Sequence, residues 1–189
     1  AGKLVAEGKE VLVVSFNITL LHYLQDLAVR FSDASRCSRT KATWFNFHHL
    51  CKYICFQAGK LEEYRNLWRF FGHRTDKLDP DCYDRELEKM LSKTMPSLVE
   101  KILTSSIDSS ICRYDAILVD EGQDFKPEWW NLLRRLLKQD GEMMLVADAT
   151  QDLYGTAHSW TDDSMAGLDT GFRGPWNTLE VSYRLPEDF

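Results

Sequence analysis

The stretch Tyr114-Asp-Ala-Ile-Leu-Val-Asp-Glu-Gly-Gln-Asp124 runs from an apolar strand pattern directly into an Asp-Glu pair, followed by Gly, Gln and Asp. Ligands of open α/β sheets bind beyond the carboxyl ends of the strands, where rigid backbone holds the side chains. There Asp120 could hold a magnesium ion, and Glu121 could orient or deprotonate a water that attacks a phosphorus. The Asp-Glu pair alone would more often be a polar turn. The addition of Gln123 and Asp124 favours a phosphoryl-transfer site instead.

Two further strand patterns also end in polar residues. Met143–Ala147 is followed by Asp148 and Gln151, and Thr178–Ser182 is followed by Arg184. Taken singly, these residues would be an ordinary loop and a surface ion pair. The donor fork of an arginine, however, suits phosphate oxygens. Three strand ends that carry carboxylate, amide and guanidinium groups therefore predict a shared site for phosphate.

The alternation of strand and helix patterns predicts an α/β fold with a parallel sheet flanked by helices. Apolar spacing from Trp129 to Leu137 predicts one of these helices. Residues 51–110 read almost wholly as helix, which predicts a helical insertion subdomain between the two parts of an α/β domain, 1–50 and 111–189. The predicted strands are Glu10–Ser15, Thr43–Phe47, Tyr114–Val119, Met143–Ala147 and Thr178–Ser182.

Composition excludes several classes of protein. The formal net charge of −6 argues against a coat that binds nucleic acid by overall charge, but local contacts and stacking on single strands stay open. The apolar runs are too short to cross a bilayer, and no leader for export is recognisable. Because the five cysteines form no pairing pattern, we expect reduced thiols and a cytoplasmic protein.

A zinc site is the alternative to be weighed at Cys51 and Cys55, because His48 precedes them by three residues. The two cysteines also share an apolar stripe at helical spacing with Leu50 and Ile54, and free cysteine packs as a small hydrophobe. Zinc ligand pairs usually come with a second pair, which the sequence does not offer here. Core packing is therefore the favoured interpretation.

The motifs resemble those of superfamily-one helicases of the UvrD/Rep group. Asp120-Glu-Gly-Gln-Asp124 is similar to their Walker B box (motif II), Leu145–Tyr154 to motif III and Leu179–Arg184 to motif IV. Upstream, Val11–Asn17 resembles motif Ia, and Phe45–Leu50 resembles the DNA-contacting box that follows it. Any one box would be weak, but five in the family's order across nearly the whole chain are specific. The resemblance implies a RecA-like P-loop NTPase fold.

The resemblance also implies how ATP and Mg²⁺ would be used. Asp120 would hold the Mg²⁺ of Mg-ATP through water, and Glu121 would be the catalytic base. Gln123 and Gln151 would sense the γ-phosphate, which Arg184 would contact as charge develops in hydrolysis. The implied catalytic residues are thus Glu121, Gln151 and Arg184, and the implied nucleotide ligands are Asp120, Gln123 and Asp148.

The implied partner is single-stranded DNA, or a junction of single and double strands. Stacking on bases contributes roughly 1–3 kcal/mol per base and tolerates any sequence, so aromatic side chains suit this path. Core packing at strand ends is nearly as good an interpretation for Phe16 and Phe47, and Trp160 is a weaker candidate for the path. The implied DNA-contacting residues are Phe16, Asn17, Phe47, His48 and Tyr154.

The sequence departs from the family's pattern in two places. Ala147 stands where motif III usually has Gly. The Gly-rich loop that ends in Gly-Lys-Thr or Gly-Lys-Ser is not found, because Gly2-Lys3 is followed by Leu4. We therefore expect a fragment of an ATP-dependent DNA helicase, with the first strand, this loop and the second motor domain in other parts of the parent protein. A non-catalytic helicase-like module that binds DNA or serves as a scaffold is the alternative.

This chain by itself is expected neither to hydrolyse ATP nor to unwind DNA. Without backbone amides and a lysine around the β- and γ-phosphates, Mg-ATP loses most of its binding contacts. An ATPase assay on the purified chain measures this directly. Clear turnover that is lost in Glu121→Gln would contradict the expectation.

Overall fold

Four parallel strands form one sheet in the computed structural model, which describes residues 1–31, 42–105 and 111–147. The strand order is β2-β1-β3-β4, and every neighbouring pair is parallel. The predicted α/β fold, with a parallel sheet flanked by helices, is confirmed. The strands are β1 (Val11–Ser15), β2 (Ala42–Asn46), β3 (Tyr114–Asp120) and β4 (Leu137–Leu145).

Helices connect the strands as the sequence pattern predicts. Among the described residues, one helix precedes β1, one joins β1 to β2, four lie between β2 and β3, and one joins β3 to β4. They are α1 (Gly2–Ala6), α2 (Ile18–Phe31), α3 (Phe47–Gln57), α4 (Leu61–Thr75), α5 (Pro80–Lys89), α6 (Met95–Ser105) and α7 (Pro127–Arg134). A π-helical turn, Met90–Thr94, joins α5 to α6, and a 3₁₀ turn, Gly122–Asp124, follows β3.

Apolar side chains cover both faces of the sheet, which is why β1 consists of consecutive apolar residues. Leu12 and Val14 point into the larger core, which they share with residues of α3, α6 and α7. Val11 and Val13 point the other way, into a smaller core that includes Val5 of α1. All five residues of β1 are buried, as expected of a strand covered on both faces.

The order of the strands reverses direction between β1 and β3. The chain leaves β1 toward β2 on one side, whereas it leaves β3 toward β4 on the other side. The connections after these two neighbouring strands therefore run in opposite directions from the sheet. Ligands of open α/β sheets bind at such a reversal point.

Three strands end level with one another at this edge. Ser15, the last residue of β1, pairs with Asn46 at the end of β2 and with Asp120 at the end of β3. Neighbouring strands lie about 4.8 Å apart, so the side chains that follow them are close. We call Asn46, Ser15 and Asp120 the strand-end row.

The predicted strand bounds hold closely at β1 and β3 but not at the other two strands. Phe47, predicted as the last residue of the second strand, opens α3 instead. The fourth strand begins at Leu137 rather than Met143, because the preceding helix ends at Arg134. Its register against β3 shifts between Tyr114 and Ala116, and Asp140 there has a φ of 63°. The predicted strand 178–182 lies outside the described residues.

Helices α3 and α6 share the larger core with the sheet. Leu50 and Ile54 of α3 and Val99 of α6 belong to the same buried cluster as Leu12 and Val119 of the strands. Helix α3 also runs across the predicted domain boundary after residue 50. The division into domain 1–50 with 111–189 and insertion 51–110 stays a prediction. None of the helices in the described segments is long and apolar enough to cross a membrane.

Candidate functional site

Polar side chains shape the turn that follows β1. The buried Ser15 hydroxyl accepts a hydrogen bond from the backbone N–H of Asn17 at 3.2 Å. The exposed Asn17 side chain in turn accepts one from the backbone N–H of Thr19 at 2.9 Å, in the first turn of α2. Such local side-chain bonds favour caps and turns. The chain therefore leaves the sheet here in a defined direction, with the half-buried Phe16 between the two polar residues.

Asn46 ties the end of β2 to the end of β1. Its side-chain oxygen accepts a hydrogen bond from the backbone N–H of His48 at 3.0 Å, which caps the N-terminus of α3. Its amide nitrogen donates a hydrogen bond to the carbonyl of Phe16. Both halves of one buried amide are thus used, and the backbone of Phe16 is held from a neighbouring strand.

The loop after β3 holds its carboxylates on constrained backbone. Glu121 has left-handed backbone angles, φ 55° and ψ 47°, which a residue with a Cβ seldom adopts. The Gly122 N–H donates to the carbonyl of Val146 at 2.8 Å, which ties the loop to the strand end of β4. Gln123 is 3% exposed, and its amide donates a hydrogen bond to the Glu121 carboxylate. The position of that carboxylate is therefore set by a buried neighbour.

Five rings pack together beneath the strand-end row, and we call them the aromatic cluster. Trp129 of α7 stacks on Phe47 with ring centres 4.2 Å apart and planes at 11°. It also stacks on Phe16 at 6.3 Å and 16°. His48 and Phe125 meet Trp129 edge to face, at 5.5 and 5.6 Å. The cluster joins the ends of β1 and β2 to the segment that follows β3.

The environment of His48 keeps its imidazole neutral at neutral pH. Burial against the aromatic cluster lowers the pKa of His48, and the backbone of Leu91 opposes this effect only in part. A neutral imidazole can face a base without adding charge to the site. Its Nε2 is buried without a hydrogen-bond partner among the described residues, so a contact with a base would be stacking rather than hydrogen bonding or ion pairing.

The structure brings several predicted site residues to one edge of the sheet. Asp120, Glu121 and Gln123 follow β3, and Phe16 and Asn17 follow the neighbouring β1. Four predicted residues, Asp148, Gln151, Tyr154 and Arg184, lie outside the described residues, as does Trp160.

Phe47 is more deeply buried than Phe16, Asn17 and His48, the other predicted DNA-contacting residues that the structure describes. Its side chain is fully buried, and Trp129 stacks against its ring. A base could not stack on this ring without displacing the indole. The burial therefore supports the alternative interpretation, core packing, for Phe47.

Sequence reasoning missed the residues that hold the site together. Asn46 was predicted as a strand residue, which it is, but its second role as the N-cap of α3 was not predicted, although a residue of this type directly before an apolar helical stripe is a recognised N-cap signal. Trp129 was recognised only as part of an amphipathic helix. No sequence pattern identifies its partners, because Phe16 and Phe47 are far from it in the chain.

The oxygen donors of the site fit a magnesium ion better than zinc. Asp120 and Glu121 are neighbouring carboxylates at a strand end, and Mg²⁺ binds through one or two carboxylates while waters and phosphates complete its shell. Within the described segments, no three His, Cys, Asp or Glu side chains group as ligands. Cys51 and Cys55 are buried in the larger core, and burial raises the pKa of Cys55 to about 11, which disfavours the thiolate that zinc needs. The zinc alternative is not supported.

Comparison with known proteins identifies a family for part of the chain. Residues 86–159 match the family model of the UvrD/REP helicase N-terminal domain. The matched segment begins in α5 and includes β3, the Asp120–Asp124 loop, α7 and β4. No curated protein matches the chain. The matched segment includes the boxes similar to motifs II and III, and it supports the resemblance of this part of the chain to UvrD/Rep-type helicases.

Asn46→Ala is expected to lower the free energy of unfolding by about 1–3 kcal/mol, because it removes a helix cap and leaves the Phe16 carbonyl without its donor. Asn66→Ala, on the exposed side of α4, is the matched control and should stay within about 0.5 kcal/mol of the parent. Urea unfolding measures both variants. Equal losses in the two would contradict the role given to Asn46.

Gly122→Ala is expected to cost about 1–3 kcal/mol, because a Cβ there would collide with the Leu145 side chain and lie 3.1 Å from the Val146 carbonyl. Gly72→Ala is the contrasting control. No atom lies within 4 Å of a Cβ at Gly72, which is in α4, so the change should stabilise by about 0.5–1 kcal/mol. An unfolding midpoint of Gly122→Ala at or above that of the unsubstituted chain would show that the loop tolerates a side chain.

Proposed function

We propose that this chain is part of the first motor domain of an ATP-dependent DNA helicase, which couples ATP hydrolysis to movement along single-stranded DNA and to unwinding. One observation carries the proposal. The segment with the predicted nucleotide-site residues is at the end of β3, and the segment with the predicted DNA-contacting residues Phe16 and Asn17 is at the end of β1. These two strands are adjacent, and the strand order reverses between them. That point is where α/β sheets bind ligands. The family match over residues 86–159 supports the same conclusion.

On the nucleotide side, the residues after β3 have separable roles. Asp120 would hold Mg²⁺ through water, and Glu121 would orient or deprotonate the attacking water. The hydrogen bond from Gln123 would keep the Glu121 carboxylate in one orientation. When Mg-ATP is bound, ATP would supply the phosphoryl group and Mg²⁺ would neutralise part of the negative charge on the phosphates. By resemblance, Asp148, Gln151 and Arg184 would complete the shell around the phosphates.

On the DNA side, contacts would come from rings and amides rather than from net charge. Phe16 offers a half-buried ring, Asn17 an exposed amide and His48 a neutral imidazole. Base stacking and local polar contacts suit a chain with a formal charge of −6, which cannot attract DNA by its overall field. Tyr154 would extend this path by resemblance. The second motor domain of the same parent protein would close over both ligands.

The strand-end row offers a short route between the two ligands. Ser15 and Asp120 pair in adjacent strands, so a shift of the loop after β3 directly meets the turn that carries Phe16 and Asn17. Coupling of ATP to DNA would then require no long chain of contacts. A non-catalytic module would have no need for a carboxylate held by Gln123 on left-handed backbone, which favours the enzyme over that alternative.

Phe16→Ala is expected to weaken binding of a labelled oligothymidylate about tenfold, because base stacking on a ring is worth roughly 1–3 kcal/mol. Phe56→Ala is the matched control. That ring is 62% exposed on α3, near its C-terminus and away from the strand-end row, so its removal should leave affinity within about twofold. Fluorescence anisotropy at low salt gives the dissociation constants.

Circular dichroism would establish that both variants are folded at the assay temperature. If the chain without substitutions bound the oligothymidylate too weakly to measure, the proposed DNA-contacting role of these residues would be contradicted. Equal weakening by the two substitutions would also count against it, because Phe16 at the strand end would then contribute no more to DNA binding than the control residue Phe56.

A further inference from the structure

Trp129 contacts two of the residues proposed to bind DNA, although it is itself only 2% exposed. Its indole lies nearly parallel to the ring of Phe16, with centres 6.3 Å apart, and meets His48 edge to face at 5.5 Å. Phe16 and His48 also meet each other, at 6.1 Å and 70°. Trp129 is therefore too deep to touch a base, yet it packs against both side chains that could.

The other end of the indole is fastened to the helical crossover. Its Nε1–H donates a hydrogen bond to the Ser92 carbonyl at 3.1 Å, inside the π-helical turn between α5 and α6. π-helical turns interrupt the regular backbone pattern and occur frequently at functional sites. A second contact joins the same two segments, since Lys126 pairs with Glu88 at 3.2 Å. The segment that follows the Asp120–Asp124 loop is thus attached to the crossover at two points.

We propose that Trp129 is a positioning residue for DNA binding, which sets the ring of Phe16 and the imidazole of His48 in the orientation that meets a base. This inference rests on the proposed function and deepens it. Asn46 holds the backbone of Phe16, and Trp129 holds its ring, so the two fix different parts of one residue. A side chain fixed before the ligand arrives loses less conformational freedom on binding.

The position of Trp129 in the chain gives this role a second consequence. Four residues separate it from Asp124, and Phe125 of the connecting segment packs against both Trp129 and Phe47. A displacement of the Asp120–Asp124 loop would therefore reach Phe16 through the packing of Phe125 and Trp129. This route runs beneath the sheet edge and is distinct from direct contact along the strand-end row.

Trp130 offers a matched comparison on the same helix. It is fully buried and packs against Phe125 with ring centres 5.9 Å apart. It thus shares the residue type, the helix and the burial of Trp129, but its described ring contact is with Phe125 rather than with Phe16 or His48. Substitution of Trp130 measures what core loss alone does to DNA binding.

The experiment measures how tightly the variants Trp129→Phe, Trp129→Leu and Trp130→Phe bind a labelled oligothymidylate. Each substitution is made in the otherwise unsubstituted chain and in the Phe16→Ala variant. We expect Trp129→Phe to weaken binding about threefold and Trp129→Leu about tenfold, with Trp130→Phe within twofold. In the Phe16→Ala background, the effect of each Trp129 substitution should shrink, because only the part that acts through His48 remains. Such a reduction is a signature that general destabilisation would not produce.

Urea unfolding and circular dichroism would establish that each variant is folded during the assay, and Trp129→Phe keeps the test informative if Trp129→Leu does not fold. Equal weakening by the Trp129 and Trp130 substitutions, or full persistence of the Trp129 effect without Phe16, would overturn the inference and leave the proposed function standing. Failure of the parent chain to bind the oligonucleotide would instead overturn both.

Discussion

The parallel pairing of β1 with β2 on one side and with β3 on the other is the constraint on which the rest depends. Because Ser15 is in register with both Asn46 and Asp120, three chains leave the sheet at the same level. The order of the strands then sends the loops after β1 and β3 in opposite directions. A one-residue slip of β3 would exchange the residues that face the two cores and would move Asp120 out of the row.

The passage from apolar core to polar site takes place within one or two residues of each strand end. Val14 and Val119 are core residues, whereas the residues directly after them, Ser15 and Asp120, begin the polar layer. The buried members of that layer are held by hydrogen bonds, as Asn46 and Gln123 illustrate. Buried polar groups with partners rigidify their surroundings. The strand ends therefore join the apolar core directly to the hydrogen-bonded polar residues of the site.

Local patterns in the sequence were sufficient for the elements but not for their contacts. The strand before Asp120 was predictable, because an apolar run followed by acidic residues has few other interpretations. The start of β4 was not, because Lys138–Gly141 interrupts the apolar pattern where the register shifts. The bond from Trp129 to the Ser92 carbonyl joins residues 37 positions apart, and spacing within a helix cannot reveal it. Residues that act at a distance were thus the ones sequence reasoning missed.

Phe16 and Phe47 differ in burial, although similar motifs predict the same role for both. Both follow the end of a strand in the same sheet, and both resemble DNA-contacting positions. Phe16, however, follows Ser15 into an open turn and stays partly exposed, whereas Phe47 follows a helix cap and enters the core. Trp129 lies against both rings, with the closer stacking on the buried one. Both residues are phenylalanine, so burial rather than residue type distinguishes the ring that could stack on a base from the ring that packs in the core.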